Sequence, residues 1–365
     1  MTDYGTSENG KNHMNDSENG LLTLLETVTE TADTKSFFFK IPENGKTDFK
    51  PGQFINIGVP VDGQTHYRSY SISSLPQGNR IQLTIKRVKG GKVSNWMIDQ
   101  LAIGDRISQH GISGHFNIID CPFRENVLFI SAGCGITPVM SMARHLLSLN
   151  DTRIKSIQFI HCARDENNII YFNELRKLAE ELEKFQPTFY LSQPKGKPDR
   201  LIRKGRLNSD SLKELLNGHF NDTSVFLCGP DEFMGMVKTE IAATGFDMTH
   251  FYMESFTAAD TEPAVNTPIN NEAKTHTVSF PDFALTTEVP DGKTLLEVFE
   301  ENGIPVIAAC RSGICGSCKC KVETGKIQLT VDAVANGSLT QKDVEEGYTL
   351  ACSSRIIDDI SVSLT

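Results

Sequence analysis

Four cysteines, Cys310, Cys315, Cys318 and Cys320, fall within eleven residues, and a further one, Cys352, follows at a distance. The spacing Cys310-x4-Cys315-x2-Cys318, completed by Cys352, is the pattern by which four thiolates hold a [2Fe–2S] cluster. The segment ACRSGICGSCKC places Gly313, Gly316 and Ser317 between the thiolates. Small residues let the backbone wrap closely and turn amide N–H groups toward anionic sulfur. A structural zinc site is the alternative, but it would call for a second Cys knuckle or nearby histidines, and the sequence has neither. Cys320 is surplus to the four ligands and is expected to point away as a small buried side chain.

The nine cysteines are odd in number and no secretion signal precedes them, so they do not read as a disulfide framework. At 365 residues the chain is expected to form two or three domains. No run approaches the roughly 18–20 apolar residues of a membrane span, and the N-terminus lacks a basic and apolar leader, so a cytoplasmic location is expected. A net charge of −10 argues against a general nucleic-acid binder.

Residues 1–19, rich in Asn, Gly and Ser, read as a disordered tail. Residues 20–121 carry short β-type runs (FFFKI, QFINIGV, YRSYSIS, RIQLTIKRV, DRISQHG) separated by turn residues, which predicts an antiparallel β-barrel or sandwich. From 122 to 256 strands alternate with helices, the pattern of a doubly wound parallel α/β sheet. Residues 257–274 read as a linker. The last section, 275–365, opens with two strands and then a helix. Thr294 and Glu297 are spaced as its capping box, and Gly303 stands just past its end.

Two further groups of residues suggest nucleotide chemistry. Arg68-Ser69-Tyr70-Ser71 on a barrel strand offers a guanidinium for a pyrophosphate, an aromatic face for a flat ring, and the Ser71 hydroxyl for a ring nitrogen. Gly90 and Gly91 permit close approach, and Ser94 is read as opening a helix whose N-terminal amides suit a phosphate. Gly133-Cys134-Gly135-Ile136-Thr137-Pro138 follows a strand and starts a helix, and Cys228-Gly229-Pro230 ends a later strand. Both are ligand positions in such sheets. The plain readings, a polar strand face and capped βα turns, stay open on these residues alone.

Taken in order, the three groups resemble ferredoxin–NADP⁺ reductase-type flavoproteins that carry a C-terminal plant-type ferredoxin domain, over about residues 20–365. The resemblance implies a flavin barrel, an α/β nucleotide domain and a β-grasp [2Fe–2S] domain. It implies that Arg68, Ser69, Tyr70 and Ser71 bind the flavin, with Ser71 near N5, and that Gly91, Lys92, Val93 and Ser94 meet its phosphates. Gly133 to Pro138 and Cys228 to Pro230 match the nicotinamide-nucleotide site, with Ser71 and Cys228 nearest the reacting rings. Glu254 and Phe256 match a segment bordering the flavin. Implied cofactors are FAD, with FMN as the lesser alternative, the [2Fe–2S] cluster, and NADH or NADPH. In HCARDENNIIY, Asp165 and Glu166 beside Arg164 would repel a 2′-phosphate, which favours NADH.

Within the family, SAGCGITPVMSM and GYTLACSS are most like NADH oxidoreductases that reduce hybrid cluster protein. Reductase components of Rieske-type oxygenases, such as betaine or carnitine demethylases, share the domain order. Either implies a redox protein as acceptor. A sensor module without turnover, and a flavoenzyme with a zinc-bearing tail, are the other readings. Residues 275–365 hold thirteen Asp and Glu against seven Lys and Arg, a charge that suits steering of a basic partner or solubility alone. Cys315→Ser is expected to abolish the cluster's visible absorption; a spectrum that survives the substitution rules the cluster assignment out.

Overall fold

The computed structural model describes residues 20–42, 48–149, 151–197, 199–216, 221–256, 274–334 and 337–364. The expected tail 1–19 and nearly all of the expected linker 257–274 lie outside these residues.

The first body is built from β1 (Leu21–Thr31), β2 (Thr34–Lys40), β3 (Phe54–Val61), β4 (Gln64–Ser71), β5 (Arg80–Lys86), α1 (Lys92–Asp99) and β6 (Arg106–Ser113). The strands pair antiparallel in the order β4-β3-β6-β1-β2-β5. The sheet curls until Ile72, just past β4, bridges Leu83 on β5, closing the barrel there. Inward side chains such as Leu22, Phe37, Ile57 and Leu83 are fully buried. The sequence patterns located β2 to β6 but not β1, whose Leu21, Leu22, Leu24 and Leu25 recur at helical spacing. Pairing with β2 and β6 fixes it as a strand.

The second body contains β7 (Asn126–Ala132), α2 (Ile136–Ser148), β8 (Ser156–Ala163), α3 (Phe172–Glu181), β9 (Phe185–Leu191), β10 (Ile202–Lys204), α4 (Ser209–Leu216), β11 (Thr223–Cys228), α5 (Asp231–Ala243) and β12 (Phe251–Glu254). Its parallel sheet runs β10-β9-β8-β7-β11-β12. Both faces are covered: Val127 and Phe129 enter one core, Leu128 and Ile130 the other. That is why these strands read as continuous apolar runs and not as alternation.

The third body has β13 (Thr275–Phe280), β14 (Leu285–Pro290), α6 (Leu295–Glu301), β15 (Lys319–Thr324), β16 (Ile327–Leu329), α7 (Gln341–Glu345), β17 (Tyr348–Leu350), β18 (Ser354–Ile356) and β19 (Ile360–Leu364). Its mixed sheet is ordered β14-β13-β19-β15-β17, with α6 packed into the same core. The Thr294–Glu297 capping box is formed as the spacing predicts. Cys320 is fully buried in this core.

Barrel and parallel sheet are joined by a polar network centred on Arg144 of α2. Its guanidinium pairs with Glu174 of α3 at 2.6 Å and donates to the Ser73 carbonyl (2.6 Å) and Gln82 Oε1 (2.8 Å). Gln82 donates to Ser36, whose hydroxyl donates to Glu30 of β1. Tyr171, at φ +60°, donates its amide to Glu30 and its hydroxyl to Thr84 while its ring lies under the Arg144 guanidinium. Arg144→Ala leaves the Ser73 carbonyl and Gln82 without this donor. It is expected to cost roughly 2 kcal/mol, read as a lowered urea midpoint.

Candidate electron-transfer site

A cleft of about 460 Å³ lies where the three bodies meet. The barrel supplies Arg68 to Ser71 and Gly91 to Ser94, the parallel sheet supplies Cys134, Thr137, Glu254 and Phe256, and the third body supplies Ala309, Cys310, Ser312 and Ile314.

Antiparallel pairing with β3 sets the register of the Arg68 strand, Ile57 opposite Arg68 and Phe54 opposite Ser71. Ser69 donates to Asn56 at 2.7 Å, and Arg68 is braced by the Tyr67 carbonyl. Burial pushes the Tyr70 hydroxyl well above its ordinary range, so it stays neutral with its ring in the cleft. Desolvation, followed by the charges of Lys92, Arg68 and Arg311, lowers the pKa of His66. Arg68 and Lys92 line this end of the cleft and make it positive, suited to a phosphate, while Arg311 nearby is paired with Glu300.

Gly91 is the N-cap of α1, with no side-chain cap. A Cβ there would lie 2.8 Å from Ser94 Oγ and 2.9 Å from Val88 Cβ, so the turn closes tightly only on glycine, and no capping side chain takes up the first-turn amides. Ser94 differs from its expected place: the helix begins at Lys92, and the buried Ser94 hydroxyl accepts from the Val88 amide at 3.2 Å. It therefore stiffens the glycine turn from inside the helix.

Gly133 takes φ +53° in a tight turn before α2. A Cβ on Gly135 would sit 2.2 Å from the Cys228 carbonyl, so only glycine lets this turn close on the neighbouring one. β7 and β11 are adjacent, Ser131 facing Cys228 in register, and both turns open at their C-terminal ends, where such sheets bind ligands. Ile136 and Pro138 are buried supports at the start of α2, and Pro230 is the N-cap residue of α5. Gly133, Gly135, Cys228, Gly229 and Pro230 are not among the residues that line the cleft. The Cys228 thiol is fully buried, and burial, then Glu254, raises its pKa well above its usual range. It contributes shape, not a thiolate. Cys134 is likewise pushed up, to about 11, by burial.

Two polar atoms in the cleft have no hydrogen-bond partner within the protein: Ser71 Oγ and Glu254 Oε2. Buried polar groups are rarely left so, and a flat heterocycle with donors and acceptors on its edge fits them. Burial alone pushes the Glu254 carboxyl up to about 8. Phe256, half exposed, stands at the rim.

The four sequence-selected cysteines gather in the third body. Cys318 and Cys352 sulfurs are 3.3 Å apart, and Cys310 lies within hydrogen-bonding reach of Cys315 and Cys352. Backbone amides of Ser312 and Cys315 point at Cys310 Sγ (both 3.4 Å), and the Gly313 amide at Cys352 Sγ (3.2 Å). Such donors favour anionic sulfur, and the set fits a four-thiolate iron–sulfur cluster. Cys352 sits on a short 3₁₀ turn between β17 and β18. The cleft-facing Ala309, Ser312 and Ile314 escaped sequence reasoning, because nothing in the motif tells which side of the loop meets the flavin barrel.

A flavin cleft, paired nucleotide turns and a four-cysteine loop in one chain define an electron-transfer flavoprotein. Family models agree: the oxidoreductase FAD-binding domain matches residues 21–118, the oxidoreductase NAD-binding domain 129–239, and the 2Fe-2S iron-sulfur cluster binding domain 282–356. The chain is 35% identical over 349 residues, 92% of each chain, to a glycine betaine monooxygenase reductase subunit of Pseudomonas aeruginosa. It is 32% identical to a stachydrine N-demethylase reductase subunit of Rhizobium meliloti, covering 93% of this chain and 95% of that one. Phthalate dioxygenase reductase shares the fold, with a TM-score of 0.62 at 22% identity over 94% of this chain and 97% of that one. The chain belongs to the ferredoxin–NADP⁺ reductase-type oxidoreductases with FAD-binding, NAD-binding and C-terminal 2Fe–2S domains.

Because burial favours the neutral Glu254 carboxyl, its contribution to stability is complete below its ordinary pKa of 4.5 and is lost as pH rises through about 8. In the flavin-free protein, Glu254→Gln is expected to flatten the fall of the urea midpoint between pH 5 and 9; an unchanged slope shows the carboxyl already ionised.

Proposed function

We propose that the chain is the reductase component of a Rieske-type oxygenase, of the kind that demethylates a quaternary ammonium compound such as glycine betaine. The observation that carries this is the three-body cleft in a chain aligned over nine-tenths of its length with the betaine monooxygenase reductase. The relatives are reductase subunits or components of two monooxygenases and of an N-demethylase, which supports this acceptor over hybrid cluster protein. When bound, the flavin and cluster supply the conversion of one hydride from the nicotinamide into two single electrons for the acceptor.

The residues provide binding, orientation and exclusion of water. Arg68, Lys92 and the α1 amides hold phosphate, the Tyr70 ring supports the flavin's flat face, and Ser71 lies at the reacting edge. Gly135 lets the two nucleotide turns close together, and Cys228 shapes the floor beneath the nicotinamide. No general acid or base is needed for the hydride itself.

NADH is the proposed donor. Asp165, its carboxyl held below the usual range by Lys195 and Asn168, stays ionised at the end of β8. Glu166 is anchored beside it by the Lys195 and Gly196 amides. Lys195 pairs with Asp165 at 2.7 Å and offsets its charge, so Glu166 is the carboxylate left to repel a 2′-phosphate. No helix among the described residues is long and apolar enough to cross a membrane, and the acceptor is taken to be a protein in the same compartment, the cytoplasm.

Anaerobic titration of the purified protein with NADH, then NADPH, should bleach the flavin and iron–sulfur bands together at lower NADH than NADPH. Turnover with a purified glycine betaine oxygenase component, but not with hybrid cluster protein, is the expected partner result. No bleaching by either nucleotide overturns the reductase reading.

A further inference from the structure

We propose that the end of β6 is a clasp: Ser113 and His115 hold the iron–sulfur loop against the flavin cleft, and His115 is a positioning residue for the passage of electrons from flavin to cluster. The inference deepens the reductase reading and rests on it.

The clasp grips the loop at two points. Ser113 Oγ donates to the carbonyl of Cys315 at 3.4 Å. Two residues on, His115 Nε2 lies 2.9 Å from the Gly337 carbonyl. A carbonyl only accepts, so the imidazole carries its proton on Nε2 and donates it. The next residue, Ser338, donates its hydroxyl to the Gly313 carbonyl at 2.8 Å, and the Gly313 amide donates to Cys352 Sγ. Barrel and cysteine loop are thus joined by an unbroken run of hydrogen bonds that ends on one cluster ligand, while the Ser113 bond ends on another.

The fit is steric as well. Gly337 takes φ +72°, and a Cβ there would stand 2.2 Å from His115 Nε2. The imidazole occupies the space that a side chain at this position would need. On the barrel side the clasp is anchored. Asn117 Nδ2 lies within 3.3 Å of the carbonyls of Gly114 and His115, and Gln53 donates to Gly114. Ser113 also stands in register with Phe54, a residue of the cleft wall.

The functional weight comes from what the loop does on its other side. The stretch that carries Cys315 and Gly313 also places Ala309, Cys310, Ser312 and Ile314 on the flavin cleft. Letting the loop drift would open that wall and carry Cys310 away from the flavin, while leaving the nicotinamide turns of β7 and β11 untouched. His115 therefore acts on the second leg of the electron path and not on the first.

The test uses the full-length protein loaded with flavin and cluster, in four forms: unaltered, His115→Ala, Ser113→Ala/His115→Ala, and His115→Gln, whose amide can donate to the same carbonyl. Rapid-mixing absorbance with NADH follows the flavin and iron–sulfur bands separately. The flavin should bleach at the same rate, with the same NADH KM, in all four. At about 1 kcal/mol per hydrogen bond, the ratio of released to docked loop should rise about fivefold in the single alanine variant and about thirtyfold in the double, and reduction of the iron–sulfur band should slow in that order. His115→Gln should recover most of the loss. Amide hydrogen exchange across 311–318 should quicken in the same order. Unchanged iron–sulfur reduction and unchanged exchange in the double variant overturn the clasp. Failure of NADH to bleach the unaltered protein overturns instead the reductase reading, and the exchange comparison then decides the clasp alone.

Discussion

The Arg144 guanidinium is where the barrel and the parallel sheet are made into one working surface. It lies between α2 of the parallel sheet and the segment that continues from β4, and it bonds the Ser73 carbonyl two residues beyond Ser71. Ser141, one turn earlier on the same helix, donates to the Ser74 carbonyl. The helix that begins at the Gly133–Gly135 turn therefore also grips the backbone leaving the flavin strand. Distance between the two ligand-binding edges is set by a stiff helix with polar bonds along its side, and not by a flexible connection.

Such a network is costly to bury and stays favourable only while its polar atoms are matched. The matching here reaches from β1 to α3: Glu30 accepts from Ser36 and from the Tyr171 amide, Thr84 from the Tyr171 hydroxyl, and Arg144 is split among a carboxylate, an amide oxygen and a carbonyl. The cleft beside it is left unmatched at Ser71 and Glu254.

Much of this was legible in the sequence because it follows from local rules. Thiolate spacing located the cysteine loop, apolar runs located the strands of the parallel sheet except the short edge strand β10, and the Thr294–Glu297 pair located α6. What escaped was set by long-range contact. The leucines of β1 have no alternation to declare a strand, and only its neighbours choose one. Ser94 reads as a cap but lies inside the first turn, since Gly91 ends the preceding turn without a side chain. Ala309 and Ile314 look like spacers between ligands, and their place on the cleft depends on how the third body docks. Arg144 and His115 carry no motif; their partners lie 30 and 222 residues away.

Cys352 stands 34 residues beyond Cys318, on a turn that exists only once β17 and β18 have formed. During synthesis the barrel emerges first, and domains tend to fold in that order. Yet one wall of its flavin cleft and the last sulfur of the cluster are both encoded near the end of the chain. Closing of the cluster site is thereby tied to synthesis past Cys352. A chain interrupted before Cys352 would keep its flavin barrel and nucleotide turns but present an unclosed cluster loop, with the first leg of the electron path built and the second missing.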